Sequence, residues 1–332
     1  MGRPEAEPSR MSAMSGFGAV SVSVSVVVCS YTERRWNELL AGLTAAAGQL
    51  RDGDELIVVI DHNDAMLERV RALVSTDFPG AQVHPNSHGR GLSGARNTGV
   101  GLASRDVVAF LDDDATPGPG WLEALRAPFA AADVIGVGGA VEPAWEGGRA
   151  PRWFPLEFGW VVGCDYIGLP PGGAQIRNPI GASMALRRAP LDDVGGFSEE
   201  VGRVGSLPVG CEETEISIRL AKADPTGRVL RATGGAVAHL VPRDRQTLRY
   251  FRSRCYHEGR SKAVLARLVG TQQGLASERT YATRTLPAGV VRHTAAVARG
   301  DLAGLARAFC IILGLVITAV GYASALRGGR AA

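Results

Sequence analysis

Short apolar runs alternate with stretches of helical spacing through the first two thirds of the chain. Residues 56–60 and 107–111 are uninterrupted runs of apolar residues, and residues 22–29 form a third run broken only by serines. Runs without polar alternation read as strands buried on both faces, as in a parallel sheet. Between them, Trp36, Leu39, Leu40 and Leu43 recur at helical spacing within residues 36–50, and a second helix is expected around residues 65–73. A short strand is expected near residues 81–84, and Ser93 stands where it could cap a helix running towards Ser104. The repeated β-α-β order predicts an α/β domain with a Rossmann-like, mostly parallel central sheet flanked by helices. Residues 1–21 read as a disordered tail and not as a signal peptide.

The pattern changes after residue 240. Residues 241–300 carry twelve Arg and Lys against three Asp and Glu, a net of +9; residues 301–332 add +2, which leaves −8 on residues 1–240. Residues 241–303 therefore read as a basic helical extension. Residues 308–326 follow with no charge, between Arg307 and the pair Arg327 and Arg330. As a helix this run measures about 29 Å, the thickness of a bilayer's hydrocarbon core. Residues 304–327 are expected to form a hydrophobic C-terminal helix in or on a membrane, the alternative being a buried helix. The basic stretch beside it suits a membrane surface or an anionic lipid-linked partner; a solvated helix face is the competing reading. No helix-turn-helix, zinc-finger or aromatic RNA-binding pattern occurs, so nucleic acid is not an expected partner. Because the strands and acidic motifs all precede residue 240, loss of the C-terminal run is expected to leave the core closed. The five cysteines are scattered singly, which fits a reducing compartment and neither a disulfide framework nor a zinc site.

Candidate chemistry concentrates where the third strand ends, at Asp112-Asp113-Asp114. In open α/β sheets, ligands bind beyond the carboxyl ends of the strands. Alternation along an extended chain puts Asp112 and Asp114 on one side and Asp113 on the other. Two hard oxygen ligands there suit Mn²⁺ or Mg²⁺ shared with a diphosphate; the plainer reading is an acidic turn. A second acidic set, Glu212-Glu213-Thr214-Glu215 after Gly210-Cys211, opens an apparent helix. Carboxylates in a first turn favour the helix dipole, and Glu215 stands four residues before Arg219, a salt-bridge spacing. Glu212 and Glu213 remain at the helix mouth, where either could act as general base on an acceptor hydroxyl. Gly89-Arg90-Gly91-Leu92-Ser93-Gly94 matches a dinucleotide fingerprint. Its context is wrong, because Pro85-Asn86-Ser87-His88 separate it from the preceding strand and two strand-helix units come earlier. A dinucleotide-dependent oxidoreductase is thus a distant alternative.

In order along the chain, Val26-Val27-Val28-Cys29-Ser30-Tyr31, Val58-Val59-Ile60-Asp61, Gly94-Ala95-Arg96-Asn97-Thr98-Gly99, Phe110-Leu111-Asp112-Asp113-Asp114, Gly181-Ala182-Ser183-Met184, Gly195-Gly196-Phe197 and Glu212-Glu213-Thr214-Glu215 resemble the inverting family 2 glycosyltransferases of GT-A fold. The resemblance covers residues 22–240, and within the family it is nearest to membrane-associated enzymes of the lipid-linked glucuronosyltransferase kind. It implies a GT-A domain that takes a sugar from a nucleotide-sugar donor, a UDP-sugar by this likeness. The acceptor would be a glycan or lipid-linked hydroxyl in cell-envelope polysaccharide or glycoconjugate synthesis, with the catalytic domain on the cytoplasmic side of the cell membrane.

By the same resemblance, Asp61 contacts the nucleotide base, and Ser30, Arg96 and Asp113 lie with the donor. Asp112 and Asp114 match the acids of the D-x-D motif, Asp114 on the metal and Asp112 near the ribose or metal. His239 sits where several members place a histidine near the metal or diphosphate, although a lone His after a strand is also a common structural residue. Glu213 falls on the catalytic base, where the family usually has Asp, so Glu212 stays open for that role. Ser183 falls on the acceptor side. An aromatic block, Trp145, Trp153, Phe154, Phe158, Trp160 and Tyr166, offers Trp153 and Trp160 as an acceptor platform or else forms a core cluster. Arg252 and Arg254 could close over the diphosphate or simply line a solvated helix face. Against the enzyme stands a catalytically silent sugar-nucleotide-binding or assembly subunit; intact carboxylates at the family's positions favour the enzyme.

Overall fold

The computed structural model describes residues 22–199, 211–269 and 276–328; the expected tail and Gly210 lie outside them. Eight strands, β1 (Val24–Ser30), β2 (Glu55–Ile60), β3 (Gln82–Pro85), β4 (Val107–Asp112), β5 (Ala115–Pro117), β6 (Val134–Trp145), β7 (Ser183–Arg187) and β8 (Arg228–Val241), form one sheet. Their order is β3-β2-β1-β4-β7-β6-β8-β5. The first four in that order are parallel, as are β6 and β8, whereas β7 and β5 run against their neighbours. The parallel part follows from three crossover helices, α1 (Trp36–Ala47), α2 (Asp64–Asp77) and α3 (Leu92–Leu102). Every residue of β2 is buried, as an uninterrupted apolar run requires of a strand covered on both faces. The register pairs Cys29 with Asp112 and Ser30 with Ile60, so β1, β2 and β4 end level and deliver Ser30, Asp61 and Asp112 to one edge.

Local chemistry sets the helix ends. Asn63 caps α2 by accepting from the Met66 amide at 3.1 Å. The expected cap of α3, Ser93, is instead buried inside its first turn; Gly91 caps it, at a φ of 132° that favours glycine. The fingerprint-like glycines therefore serve a turn and a close packing. Its last member, Gly94, could not carry a side chain without striking the Gly89 carbonyl.

Beyond α4 (Trp121–Arg126), α5 (Arg188–Asp193) and α6 (Glu212–Ala223), the described residues after β8 include the α-helices α7 (Leu248–Val269), α8 (Ala276–Thr280), α9 (Leu286–Val297) and α10 (Ala303–Gly328). They are no appendage. Phe251, Cys255, Leu286, Cys310 and Ile311 belong to the same core as Phe154, Phe158 and the strands β1, β2 and β4. The Phe158 and Phe251 rings lie 5.2 Å apart, and a side chain at Gly314 of α10 would run into Phe158. Glu157, fully buried, accepts from Arg292 and pairs with His293 of α9 at 3.2 Å, and Arg307 donates to His293 at 3.0 Å. This packing runs against the expectation that loss of the C-terminal run leaves the core closed.

α10 is long and apolar enough to cross a membrane, by length and composition. One of its faces packs on α7 and α9, while Leu305, Phe309, Ile312, Val316 and Val320 are each more than half exposed on the other.

Candidate active site

β4 ends at Asp112, and a turn delivers Asp113 and Asp114 before β5 begins. β5 pairs with β8 so that Ala115 faces His239. Asp112, Asp114 and His239 each bring one ligand atom to a point where all three lie within 4.8 Å of one another. Asp112 and Asp114 share the His239 side as alternation expects, but Asp113 does not turn away from them. It follows β4 in a turn, accepts from Ser30 Oγ at 2.5 Å, and meets the same Arg35 nitrogen at 2.6 Å that stands 3.1 Å from Asp114. Burial pushes the Asp113 carboxyl up to about 6, Asp114 adding to the effect and Arg35 opposing it. Burial acts on Asp114 in the same direction but is outweighed. His239 Nε2 stands 3.1 Å from one of its oxygens, with Arg35 at 3.1 Å and Arg245 at 3.4 Å from the other, and they hold it well below the usual carboxylate range. For His239, burial disfavours the proton, yet Asp114 pushes the imidazole up to about 10. Two carboxylates and an imidazole fit a divalent cation of the Mn²⁺ or Mg²⁺ kind, and three side chains leave coordination positions for phosphate oxygens.

The second acidic set reaches the same place. Cys211 sits at a φ of 88°, unusual for a residue with a side chain, and turns the chain into α6 so that Glu212 and Glu213 occupy its first turn. Between them and β4 lies Arg96 of α3, buried to 1% exposure. Its guanidinium is 3.3 Å from Asp112, 3.4 Å from Glu212 and 3.8 Å from Glu213, and it donates to the Gly181 carbonyl at 3.3 Å. The rings of Phe110 and Phe197 lie 5.9 and 5.6 Å from it. Glu212 is buried beneath, with one oxygen lacking a hydrogen-bond partner among the described residues. Glu213 keeps a fifth of its side chain exposed. Desolvation and the neighbouring Glu212 push the Glu213 carboxyl up to about 7, against the pull of Arg96. A carboxylate poised there and still open to solvent suits proton abstraction near neutral pH. Gly181 is part of this arrangement, because a Cβ on it would land on Glu213 Oε1 and close to Arg96.

The other predicted residues divide. Asp61 stands at the level edge with both oxygens engaged: Asn86 donates at 2.7 Å, the Gly91 amide at 3.0 Å, and His62 lies at 2.8 Å. Ser30 serves Asp113, and Arg96, expected against the nucleotide, is instead enclosed between carboxylates. Ser183 is fully buried and accepts from the Trp121 indole at 2.9 Å, so the acceptor-side placement is corrected: it is a core residue. Trp153 and Trp160 are half-buried in the aromatic core. Trp153 stacks edgewise on Phe251 at 5.7 Å, and Trp160 donates to Tyr281 at 3.1 Å.

Arg252 and Arg254 face opposite ways, as residues two apart on a helix must. Arg254 turns inward to Glu258 at 3.2 Å, with Glu212 near enough to raise its pKa further, whereas Arg252 is exposed on the far side of α7. Besides Arg96 at Asp112, Arg35 stands at Asp113 and Asp114 and Arg245 at Asp114, and the sequence did not single these two out. The position of Arg35 in the first loop after β1 was a usable signal, since β1 lies beside β4.

Residues 25–195 match the Glycosyl transferase family 2 model. A glucosyl-dolichyl phosphate glucuronosyltransferase of Haloferax volcanii is 34% identical over 246 residues, 74% of this chain and 77% of that protein. A pre-mycofactocin glycosyltransferase of Mycobacterium tuberculosis is 34% identical over 164 residues, 48% of this chain and 33% of that one. Among solved structures, the mannosyltransferase PcManGT from Pyrobaculum calidifontis, in complex with GDP-Man and Mn²⁺, superposes with a TM-score of 0.54 at 18% identity, covering 89% of this chain and 86% of that one. GalNAc-T7 with UDP, GalNAc and Mn²⁺ gives 0.52 at 15% identity over 80% of this chain, which spans 56% of that longer chain. These structural likenesses show the GT-A fold. The family match over more than half the sequence, with a relative aligned along most of both chains, shows that this protein belongs to glycosyltransferase family 2.

Proposed function

We propose that the enzyme transfers a sugar from a nucleoside-diphosphate donor, a UDP-sugar, to a hydroxyl of a lipid-linked acceptor in one inverting displacement at the cytoplasmic face of a membrane. The observation that carries this reading is the bridge made by Arg96. One buried guanidinium ties Asp112 of the metal-ligand set to Glu212 and Glu213, and so fixes a base opposite a diphosphate site. Glu213 takes the acceptor proton, because its carboxyl is pushed up to about 7 and keeps solvent access; Glu212 stays beneath it. Asp112, Asp114 and His239 hold the metal, Mn²⁺ in preference to Mg²⁺, as an imidazole joins two carboxylates. When bound, that ion supplies Lewis-acid neutralisation of charge on the departing diphosphate. Asp61, Ser30 and Asp113 line the donor side; Arg35 pairs with Asp113 and Asp114, and Arg245 with Asp114, which keeps Asp114 ionised and oriented.

The acceptor class is supported by the Haloferax relative, whose name specifies a dolichyl phosphate-linked sugar. Membrane attachment is supported by the exposed apolar face of α10, and the reducing side by five free thiols. The test is nucleotide release from a panel of UDP- and GDP-sugars with Mn²⁺ or Mg²⁺ and a polyprenyl-phosphate-linked sugar acceptor, followed by NMR of the product. A product with the donor's anomeric configuration retained would reject the single-base mechanism. Turnover unchanged in a chelator would reject the metal.

A further inference from the structure

α7 has two working faces. Its inner face carries Phe251, Cys255 and the ion pairs of Arg254 and Lys262 with Glu258. Its outer face presents Arg249, Arg252, Ser253 and Tyr256, which recur at the spacing of one helical surface. These four, with His257, form one wall of a groove of about 590 Å³, and Ile317 and Val320 of α10 form the other. Arg249 and Arg252 are exposed and make no hydrogen bond or ion pair among the described residues. The groove thus has unpaired guanidinium groups on one side and an apolar wall on the other. Val320 belongs at once to that wall and to the exposed strip Leu305, Phe309, Ile312, Val316, Val320.

The strip is a continuous apolar surface along one helix, of a kind soluble proteins rarely leave uncovered. α10 cannot be lifted away to cross a bilayer without tearing the core. A Cβ at Gly259 would strike the Thr318 carbonyl, and one at Gly321 the Tyr256 carbonyl, so the two backbones meet closely. Tyr256 and Ser324 also hydrogen-bond at 3.0 Å. A spanning α10 that kept this packing would carry α7, with Arg249, Arg252 and Arg260, into hydrocarbon, where each charge is costly. Lying in the plane of one leaflet, α10 buries its strip among acyl chains and leaves the arginines at headgroup level.

We propose that α10 inserts in-plane into one leaflet and that the α7/α10 groove binds the phosphate of an anionic membrane phospholipid through Arg249 and Arg252. This rests on the membrane attachment argued above. The charge of the groove, beside an apolar strip of bilayer-facing composition, is what selects a phospholipid.

The experiment floats the full chain with sealed vesicles of phosphatidylcholine alone and of phosphatidylcholine with phosphatidylglycerol. The expected result is tighter binding to the anionic vesicles. Arg249→Gln with Arg252→Gln should weaken that arm about 30-fold, leave the neutral arm unchanged, and melt like the parent. Arg249→Lys with Arg252→Lys should restore it. A C-terminal tag should stay cleavable by protease added outside the vesicles. Binding that ignores both arginines overturns the groove while membrane attachment stands; binding to neither vesicle removes the attachment itself. A protected tag means a spanning helix and overturns in-plane insertion. Soluble short-chain isoprenyl phosphate that competes at the two arginines without vesicles would reassign the groove to the acceptor.

Discussion

Glu213→Gln should kill the enzyme and make it more stable. A carboxyl ordinarily near 4.5 that folding pushes up to about 7 costs the folded state roughly 3 kcal/mol once it is ionised. The sign follows from protonation. Below the unfolded value both states are protonated and nothing is lost. As pH rises from there to about 7, the unfolded chain ionises first and stability drains away; above about 7 the loss is constant. Glutamine is never charged, so the gap between variant and parent should be near zero in acid, open across that window and level off beyond it. For a chain of this length the melting entropy is about 0.7 kcal/mol/K, so the plateau corresponds to about 4 °C in Tm. Melts of both proteins in a chelating buffer, from about pH 4.5 to about pH 8, read the gap directly, and the chelator matters because a nearby cation would pull the carboxyl down. In parallel, kcat/KM of the parent should fall on the acid side of about pH 7, and the variant should lose about 10²–10⁴-fold. A variant less stable than the parent at the alkaline end, or a gap that does not depend on pH, would refute the buried-base argument. If Glu212→Gln were the dead protein and Glu213→Gln active, the base would be the deeper residue.

Three further outcomes follow from the geometry. Asp114→Asn should abolish metal-dependent transfer and lower Mn²⁺ affinity in calorimetry; because it strips a buried partner from Arg35, His239 and Arg245, it should also cost about 3 kcal/mol in a denaturant melt. Gly181→Ala adds a methyl where Glu213 Oε1 and Arg96 already stand, so kcat/KM should drop about 10²-fold while Mn²⁺ affinity holds; unimpaired turnover would show that Glu213 is not held there. Ile311→Ala, in α10, should destabilise the whole protein by about 2–5 kcal/mol, and a change near zero would mean that α10 is an appendage after all.

The strands β1, β2 and β4 were legible because they are apolar runs buried on both faces, whereas β5 to β8 were not expected: β6 and β8 are broken by Gly, Glu, Pro and Arg, and β5 is three residues long. The D-x-D acids were legible because Asp112 closes such a run, although Asp113 and Asp114 follow in a turn where alternation no longer sorts them. Individual side-chain roles were less so. Ser183 lies in a motif at the edge of the site, but it sits in β7, and whether a strand residue points into a cleft or against Trp121 depends on a register that sequence does not state. Arg96 carried a family position, yet its enclosure between Asp112 and Glu212 needs three distant segments to converge. The aromatic block admitted both an acceptor platform and a core cluster, and packing against Phe251 and Tyr281 put it in the core.

The largest departure from the sequence reading concerns modularity. Composition divides the chain at residue 240 into an acidic catalytic part and a basic, apolar tail, which suggests two separable units. The fold joins them through α7. Phe251 and Cys255 fill the core beneath the aromatic block, and Arg254 pairs with Glu258 close to Glu212. One turn away, Arg249 and Arg252 face outward beside α10. Lys262 ties Glu258 to Glu278 of α8 at 3.5 and 2.8 Å, and Arg177, between β6 and β7, holds Glu278 at 2.8 Å. A helix whose buried charges stand next to the base while its outer charges stand at the proposed lipid surface cannot rotate to suit one side without disturbing the other. On the proposed reading, the orientation of the active site relative to the leaflet is set by the same packing that positions Glu212 and Glu213, and a lipid-borne hydroxyl would meet the proposed base in a geometry fixed by α7 rather than by a flexible tether.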